Sequence, residues 1–272
     1  MAEPLIDASG VAVSLPSPPR RIVSLIPSIT ELLFALGLGE AVIACTIYCT
    51  QPPAGVAGKT RIGGEKNPRL DLIRELAPDL VVANVEENVR EHIETLRAWG
   101  IAVYVTYPRT VAEGIALARE LGGLAGAPER GAELAAVLED RLADTRGRMA
   151  GRRRSRVFCP IWRRPYMTIN ADTYMSDMLA QCGGDNVFAA LARRYPEVGL
   201  AEVAAARPEV ILLPDEPYRF RRAHIADFSP DLEIPAQRDG RIHLVDGKLL
   251  SWYGPRIEQA LEALPPLLAS SG

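Results

Sequence analysis

The stretch Leu70-Asp71-Leu72-Ile73-Arg74-Glu75-Leu76-Ala77-Pro78-Asp79-Leu80-Val81-Val82 holds one full turn of an α/β pattern. It predicts a helix over 70–77, stopped because Pro78 cannot continue it and disfavours helical geometry at the residue before it. The apolar run Leu80-Val81-Val82-Ala83 that follows reads as a strand buried on both faces. The same order of short helix, proline, acid and apolar strand returns over Leu200 to Leu212, ending Arg207-Pro208-Glu209-Val210-Ile211-Leu212, with Pro78 and Pro208 130 residues apart. This echo predicts two lobes of common architecture.

Upstream of the first copy, Ile22-Val23-Ser24-Leu25-Ile26 reads as a strand. In Pro27-Ser28-Ile29-Thr30-Glu31, Ser28 and Glu31 have capping-box spacing before Leu32, Leu33 and Leu36, which predicts a helix. Val42-Ile43-Ala44 adds a strand. Downstream, a helix from Val89 to Trp99 ends at Gly100, and Val103-Tyr104-Val105 is the next strand. Alternating strands and helices imply mostly parallel sheets covered on both faces. From Pro128 to about Gly151, Leu134, Leu138, Leu142, Thr145 and Met149 recur at steps of three and four, giving one long amphipathic helix that could connect the lobes. A second run opens with the strand Arg156-Val157-Phe158-Cys159 and a helix from Tyr174 to Gln181 before Gly183-Gly184. It closes with the strand Arg241 to Val245 and a helix from about Pro255 to Leu268. The expected division is an N-terminal α/β lobe over 1–125, a connecting helix over 126–155 and a C-terminal α/β lobe over 156–272.

The chain has 272 residues, more than the usual ~100–200 of one domain, and its 48% hydrophobic content supplies sizeable cores. A formal charge of −3 argues against a nucleic-acid partner, which would need a concentrated cationic face. The run Arg152-Arg153-Arg154 reads as a solvated helix end. Met1 to Arg20 shows no apolar signal-peptide core and no stretch has the length of a membrane span, so the sequence as it stands predicts a cytoplasmic protein. Cys45, Cys49, Cys159 and Cys182 are expected to be free, mostly buried thiols with no zinc site. Gly58-Lys59-Thr60 lacks the earlier P-loop glycine, since Pro53 stands there, and Gly37-Leu38-Gly39 closes a helix instead of opening one. His92, His224 and His243 are scattered, so no metal site is expected, and no nucleophile and base pair can be named. A catalytic role is therefore not expected.

Open α/β sheets bind ligands at the carboxyl ends of their strands. The sequence places Tyr48, Gly63-Gly64-Glu65-Lys66-Asn67-Pro68, Asn84 to Asn88 with Glu86 and Glu87, and Tyr107-Pro108-Arg109 there in the first half. In the second half it places Trp162-Arg163-Arg164-Pro165-Tyr166, Asp215-Glu216-Pro217-Tyr218-Arg219-Phe220 and Ser251-Trp252-Tyr253-Gly254-Pro255-Arg256. Aromatics are only 6% of the chain, yet they recur in these polar turns. Such a mixture suits a large flat ligand with an apolar face and amide or carboxylate edges. The candidate contacts are Tyr48, Trp162, Tyr218 and Trp252 as apolar surfaces, with Glu65, Asn67, Glu87, Arg164 and Arg256 as polar ones.

Ile26 to Leu36, the Gly63-Gly64…Asn67-Pro68 turn, Pro78-Asp79-Leu80-Val81 and the long helix resemble the helical-backbone class of ABC-transporter substrate-binding proteins. The resemblance spans about residues 20–268 and is strongest to the cobalamin-binding members. It implies two lobes on a rigid helix, reversible capture of a corrinoid between them, no catalysis, no nucleic acid, a monomer, and a periplasmic or cell-surface role. It further implies one acid on each lobe gripping arginines of an ABC permease. The first falls on Asp71; the second falls on Ala201, with Glu202 the nearest carboxylate, about 100° further round the helix. Other readings are a ferric-siderophore or heme-type chelate binder and a cytosolic corrinoid-handling or sensory module with no transporter.

Overall fold

Parallel strands joined by helical crossovers dominate the computed structural model, which describes residues 4–269; the outermost ends of the two expected lobes lie outside the described residues. The chain divides into two units. The first comprises the chain through Pro108, Ala112–Leu138 and Tyr253–Pro255; the second comprises Arg109–Val111, Glu139–Trp252 and the chain from Arg256.

The first unit holds β1 (Leu5–Ile6), β2 (Ala12–Val13), β3 (Ile22–Ser24), α1 (Pro27–Ala35), β4 (Val42–Cys45), α2 (Pro53–Val56), β5 (Thr60–Arg61), α3 (Leu70–Glu75), β6 (Leu80–Asn84), α4 (Arg90–Ala98) and β7 (Val103–Thr106). Its five-stranded sheet has the order β5-β4-β3-β6-β7, all parallel. Val23, Leu25, Ile73, Val81, Ala83, Leu96 and Val103 form its core. The helix α5 (Val111–Ala125) follows, and α6 (Pro128–Met149) begins in the first unit and ends in the second, burying Ala135, Leu138, Leu142 and Thr145.

The second unit holds β8 (Ser155–Phe158), β9 (Tyr166–Met167), α7 (Tyr174–Gln181), β10 (Gly184–Asn186), β11 (Glu197–Val198), α8 (Leu200–Ala205), β12 (Val210–Pro214), α9 (Pro235–Arg238), β13 (Ile242–Val245), α10 (Lys248–Ser251) and α11 (Arg256–Leu268). The four parallel strands run in the order β10-β8-β12-β13. Phe158, Tyr166, Phe188, Phe220 and Phe228 make an aromatic core. Each unit is thus mostly parallel α/β, with β1-β2 and β9-β11 as small antiparallel additions.

The 130-residue echo extends to backbone detail. Helices α3 and α8 begin at Leu70 and Leu200, and strands β6 and β12 begin at Leu80 and Val210. Both connections use a non-glycine residue at positive φ, Ala77 at 42° and Arg207 at 46°. In each, an arginine ties the helix end to the first strand of its sheet. Arg21 donates to the Leu76 carbonyl, and Arg156 donates to that of Ala206 at 2.7 Å. The acid after each proline answers: Asp79 accepts from the Arg21 N–H at 2.9 Å, and Glu209 from the Arg156 N–H at 3.0 Å.

The capping box expected at Ser28 and Glu31 does not form. The helix starts earlier, with extended Ile26 (φ −134°) at its N-cap and Pro27 as first residue, because the fixed φ of proline suits that position. Ser28 is then inside the helix and buried. All four cysteines are free and buried, as expected. No helix among the described residues is long and apolar enough to cross a membrane.

Asp7, 4% exposed, pins the amino-terminal hairpin to the first unit. It accepts from the Ser9 hydroxyl at 2.7 Å, the N–H groups of Val11 and Val105 at 3.0 Å each, and Arg97 at 2.5 Å. Burial opposes its ionisation, but the hydrogen bonds outweigh it and hold the carboxyl below its usual range. A depressed folded pKa contributes stability that is present above the unfolded value and is lost as pH falls through the folded one. Unfolding experiments should therefore show an advantage of about 1 kcal/mol over Asp7→Asn at neutral pH that shrinks below about pH 4. A difference independent of pH would remove Asp7 from the acid response.

Candidate functional site

In a parallel sheet every strand delivers its following loop to the same edge. In the first unit the chain progresses in opposite directions from β3, so β3 and β6 flank the topological switch point where such sheets take ligands. The loops after β4, β5 and β6 carry Tyr48, Glu65 with Asn67, and Glu87. They are stitched together by side chains. The Asn88 amide donates to the Glu65 carbonyl at 3.1 Å and accepts from the Asn84 N–H at 2.8 Å. Lys66 donates to the Glu86 carbonyl.

The turn after β5 closes through a bridge between Gly63 and Pro68, with Gly63 at φ 97°. A Cβ at Gly64 would meet Asn67 Oδ1 at 2.7 Å and the Tyr48 ring at 3.2 Å, so glycine lets those two side chains close over the turn. Tyr48 is 57% exposed. Glu65 lies beneath, 3.5 Å from the Thr46 hydroxyl. Burial raises its carboxyl above the usual range, and the charge of Glu87 adds to the rise. The Glu87 side chain reaches solvent, yet the density of protein around it raises its carboxyl too, opposed by Lys66. All four sequence candidates of the first unit therefore meet in one loop cluster. Asn84, Asn88 and Lys66, which hold that cluster, lie in the strand-end stretches read from the sequence but were not among the individual contacts named there.

In the second unit the switch point falls between β8 and β12. Their loops carry Trp162 and Arg164, and Glu216 to Phe220, each loop with a cis proline peptide, Arg164-Pro165 and Glu216-Pro217. Trp162 is 44% exposed and stands edge-on to Tyr218, with centroids 5.4 Å apart. Tyr218 in turn meets Phe220 at 4.8 Å, continuous with the aromatic core. Arg163 is locked inward by Asp227, through bonds of 2.6 and 2.8 Å, and Tyr166 donates to the same carboxylate at 2.6 Å. The Arg163 hydrogen bonds hold the Asp227 carboxyl below its usual range. Its neighbour Arg164, at φ 67°, turns outward and is exposed. Sequence reading missed Asp227 as the residue that sorts these two arginines.

Trp252 is only 6% exposed, its ring flanked by Lys248 at 5.7 Å and Arg256 at 5.9 Å. Glu216 joins this group, 3.7 Å from Lys248 and 3.4 Å from the Ser251 hydroxyl; burial raises its carboxyl and Lys248 opposes the rise. Trp162, Arg164 and Tyr218 thus share one loop pair, while Trp252 and Arg256 sit with Glu216 at the β13 end.

Asp71 is exposed in the first turn of α3. Because α8 begins in the same register, Ala201 takes the equivalent place, and Glu202 folds back to accept from the Gly199 N–H at 2.6 Å. Among the described residues no group of three or more His, Cys, Asp or Glu is arranged to hold a metal ion.

The sequence profile of the periplasmic binding protein family matches residues 22–245. The vitamin B12-binding protein of Photorhabdus laumondii is 30% identical over 209 residues, covering 77% of this chain and 76% of that protein. Among solved structures, the periplasmic vitamin B12-binding protein of Vibrio cholerae superimposes with a TM-score of 0.82 at 26% identity, covering 92% of this chain and 96% of the other. The periplasmic heme-binding protein of Roseiflexus sp. RS-1 in its apo form gives 0.79 at 28%, covering 91% and 97%. The chain belongs to the periplasmic binding protein family. Within it, the chain is a substrate-binding protein of the ABC-transporter type, with the cobalamin-binding members among its relatives.

Proposed function

We propose that the protein captures cobalamin or a related corrinoid, without chemistry, as the substrate-binding component of an ABC importer. The carrying observation is the loop cluster of the first unit, where the exposed Tyr48 ring closes with Asn67 over the turn that carries Glu65, whose carboxyl feels the charge of Glu87. A ring offers contact area to a flat macrocycle, and the carboxyl groups of Glu65 and Glu87 offer acceptors to amide N–H edges such as a corrinoid carries. Trp162 and Tyr218 offer an apolar surface in the second unit, with Arg164 and Arg256 as polar contacts and Trp252 packed against Arg256. Relatives that bind vitamin B12 favour the same ligand. Asp71 is the proposed permease contact of the first unit; in the second, Ala201 stands at the equivalent place and the nearest carboxylate, Glu202, is turned toward Gly199.

A second reading, heme capture, rests on the same exposed Tyr48, whose phenol could become an axial ligand to iron, and on the heme-binding neighbour. Separate calorimetric titrations with cyanocobalamin and with hemin test both. One-to-one binding of cyanocobalamin, with no shift of the heme absorption band, is expected. Binding of hemin alone, with a band shift abolished in Tyr48→Phe, would install heme as the ligand, and silence with both would overturn the corrinoid reading.

A further inference from the structure

Four thiols are buried in this chain, but their surroundings divide them into two kinds. Cys159 and Cys182 are pushed up to about 12 by burial, which leaves them inert as nucleophiles. Cys45 closes β4 and Cys49 follows it across a three-residue turn, next to Val56 and Phe34. The Cys49 sulfur lies 3.1 Å from the Thr30 hydroxyl and 3.2 Å from the Thr46 hydroxyl, and it packs with Cys45 in one buried cluster. Arg61 clamps the turn, one guanidinium nitrogen lying 3.1 Å from the Cys45 sulfur and 2.8 Å from the carbonyls of Thr46 and Cys49. Pairing with Cys45 and the hydroxyls of Thr30 and Thr46 draw the Cys49 thiol down, while that pairing and burial push the Cys45 thiol up. One thiol is thereby prepared to attack and its neighbour to resolve.

We propose that Cys45 and Cys49 form a thiol–disulfide exchange site that takes a small disulfide as oxidant and closes to an intramolecular disulfide. The Cys49 thiolate attacks one sulfur of the reagent, the reagent's S–S bond breaks, and one thiolate leaves carrying an electron pair. Cys45 then gives up its proton to that leaving group and attacks Cys49 Sγ, expelling the second half as thiolate, which takes up the proton released when Cys49 ionised. The protein loses two electrons and two protons, and the small disulfide becomes two thiols. Ile47 and Tyr48, in the turn between the two cysteines, are 55% and 57% exposed, so a local opening of this short turn admits the reagent. Closure would tie down the loop that carries Tyr48. The site stands on its own geometry, whichever ligand the protein takes.

The test is to incubate the full chain with hydroxyethyl disulfide at pH 8, quench with acid, alkylate remaining thiols in denaturant, and map the products by mass spectrometry. Cys45 and Cys49 should be lost together at least tenfold faster than Cys159 or Cys182, yielding a peptide lighter by two hydrogens that dithiothreitol restores. Cys45→Ser should stop at a mixed disulfide on Cys49, and Cys49→Ser should leave Cys45 unreacted over the same interval. Equal rates at all four wild-type positions, or fast reaction of Cys45 in Cys49→Ser, would overturn the proposal; the wild-type comparison needs no variant to fold.

Discussion

Replacing Trp162 with alanine should weaken cyanocobalamin binding by about 1–3 kcal/mol, roughly 5- to 150-fold in dissociation constant. The indole is 44% exposed and stands edge-on to Tyr218, so the substitution removes surface from the loop and little from the core. Its effect should therefore appear in calorimetric affinity while the thermal midpoint moves by only a few degrees. An unchanged dissociation constant would take Trp162 out of the site. An equal loss of affinity and stability would show instead that the ring holds the loop together. The same substitution at Trp252 cannot make this separation, because that ring is buried between Lys248 and Arg256.

Phe158→Ala should be the most damaging single change in the second unit, costing about 3–5 kcal/mol. The ring is fully buried and meets Phe188 at 5.6 Å, Phe228 at 6.2 Å and Tyr166 at 6.4 Å. Its loss leaves a cavity among edge-on aromatic partners at the end of β8, where the Trp162 loop begins. With two units, unfolding need not be a single transition. Trp162 and Trp252 report on the second unit and Trp99 on the first. Urea titration should show the fluorescence of the second unit changing at lower denaturant while the Trp99 signal keeps its midpoint. A common shift of both signals would mean that the units unfold as one.

Most of the architecture was legible because it rests on local patterns: apolar runs for strands, glycines at 63 and 100 for turns, and prolines at 78 and 208 for helix stops. The 130-residue echo carried furthest, since equal spacing of a helix, a proline and a strand leaves little freedom for the backbone between them. Local patterns failed where two adjacent residues compete for one role. Proline took the helix start from Ser28 because its fixed φ needs no hydrogen-bond partner. Arg163 and Arg164 are chemically identical, and only Asp227, 64 residues after the first of them, draws one inward. Likewise, nothing near Trp162 or Trp252 in the sequence shows that one ring is open and the other covered. Such choices are made by long-range packing, after the elements themselves are set.

The arginine ties at the ends of α3 and α8 also have a mechanical meaning. Arg21 fastens the end of α3 to the start of β3, and Asp79 fastens the start of β6 to the same place. A push delivered at Asp71 on the outer turn of α3 therefore meets a stiff strut with no slack in its coupling, and passes into the two strands that flank the switch point of the first unit. Arg156 and Glu209 make the corresponding strut under α8. Each unit is built so that a load on its short helix is felt along its sheet.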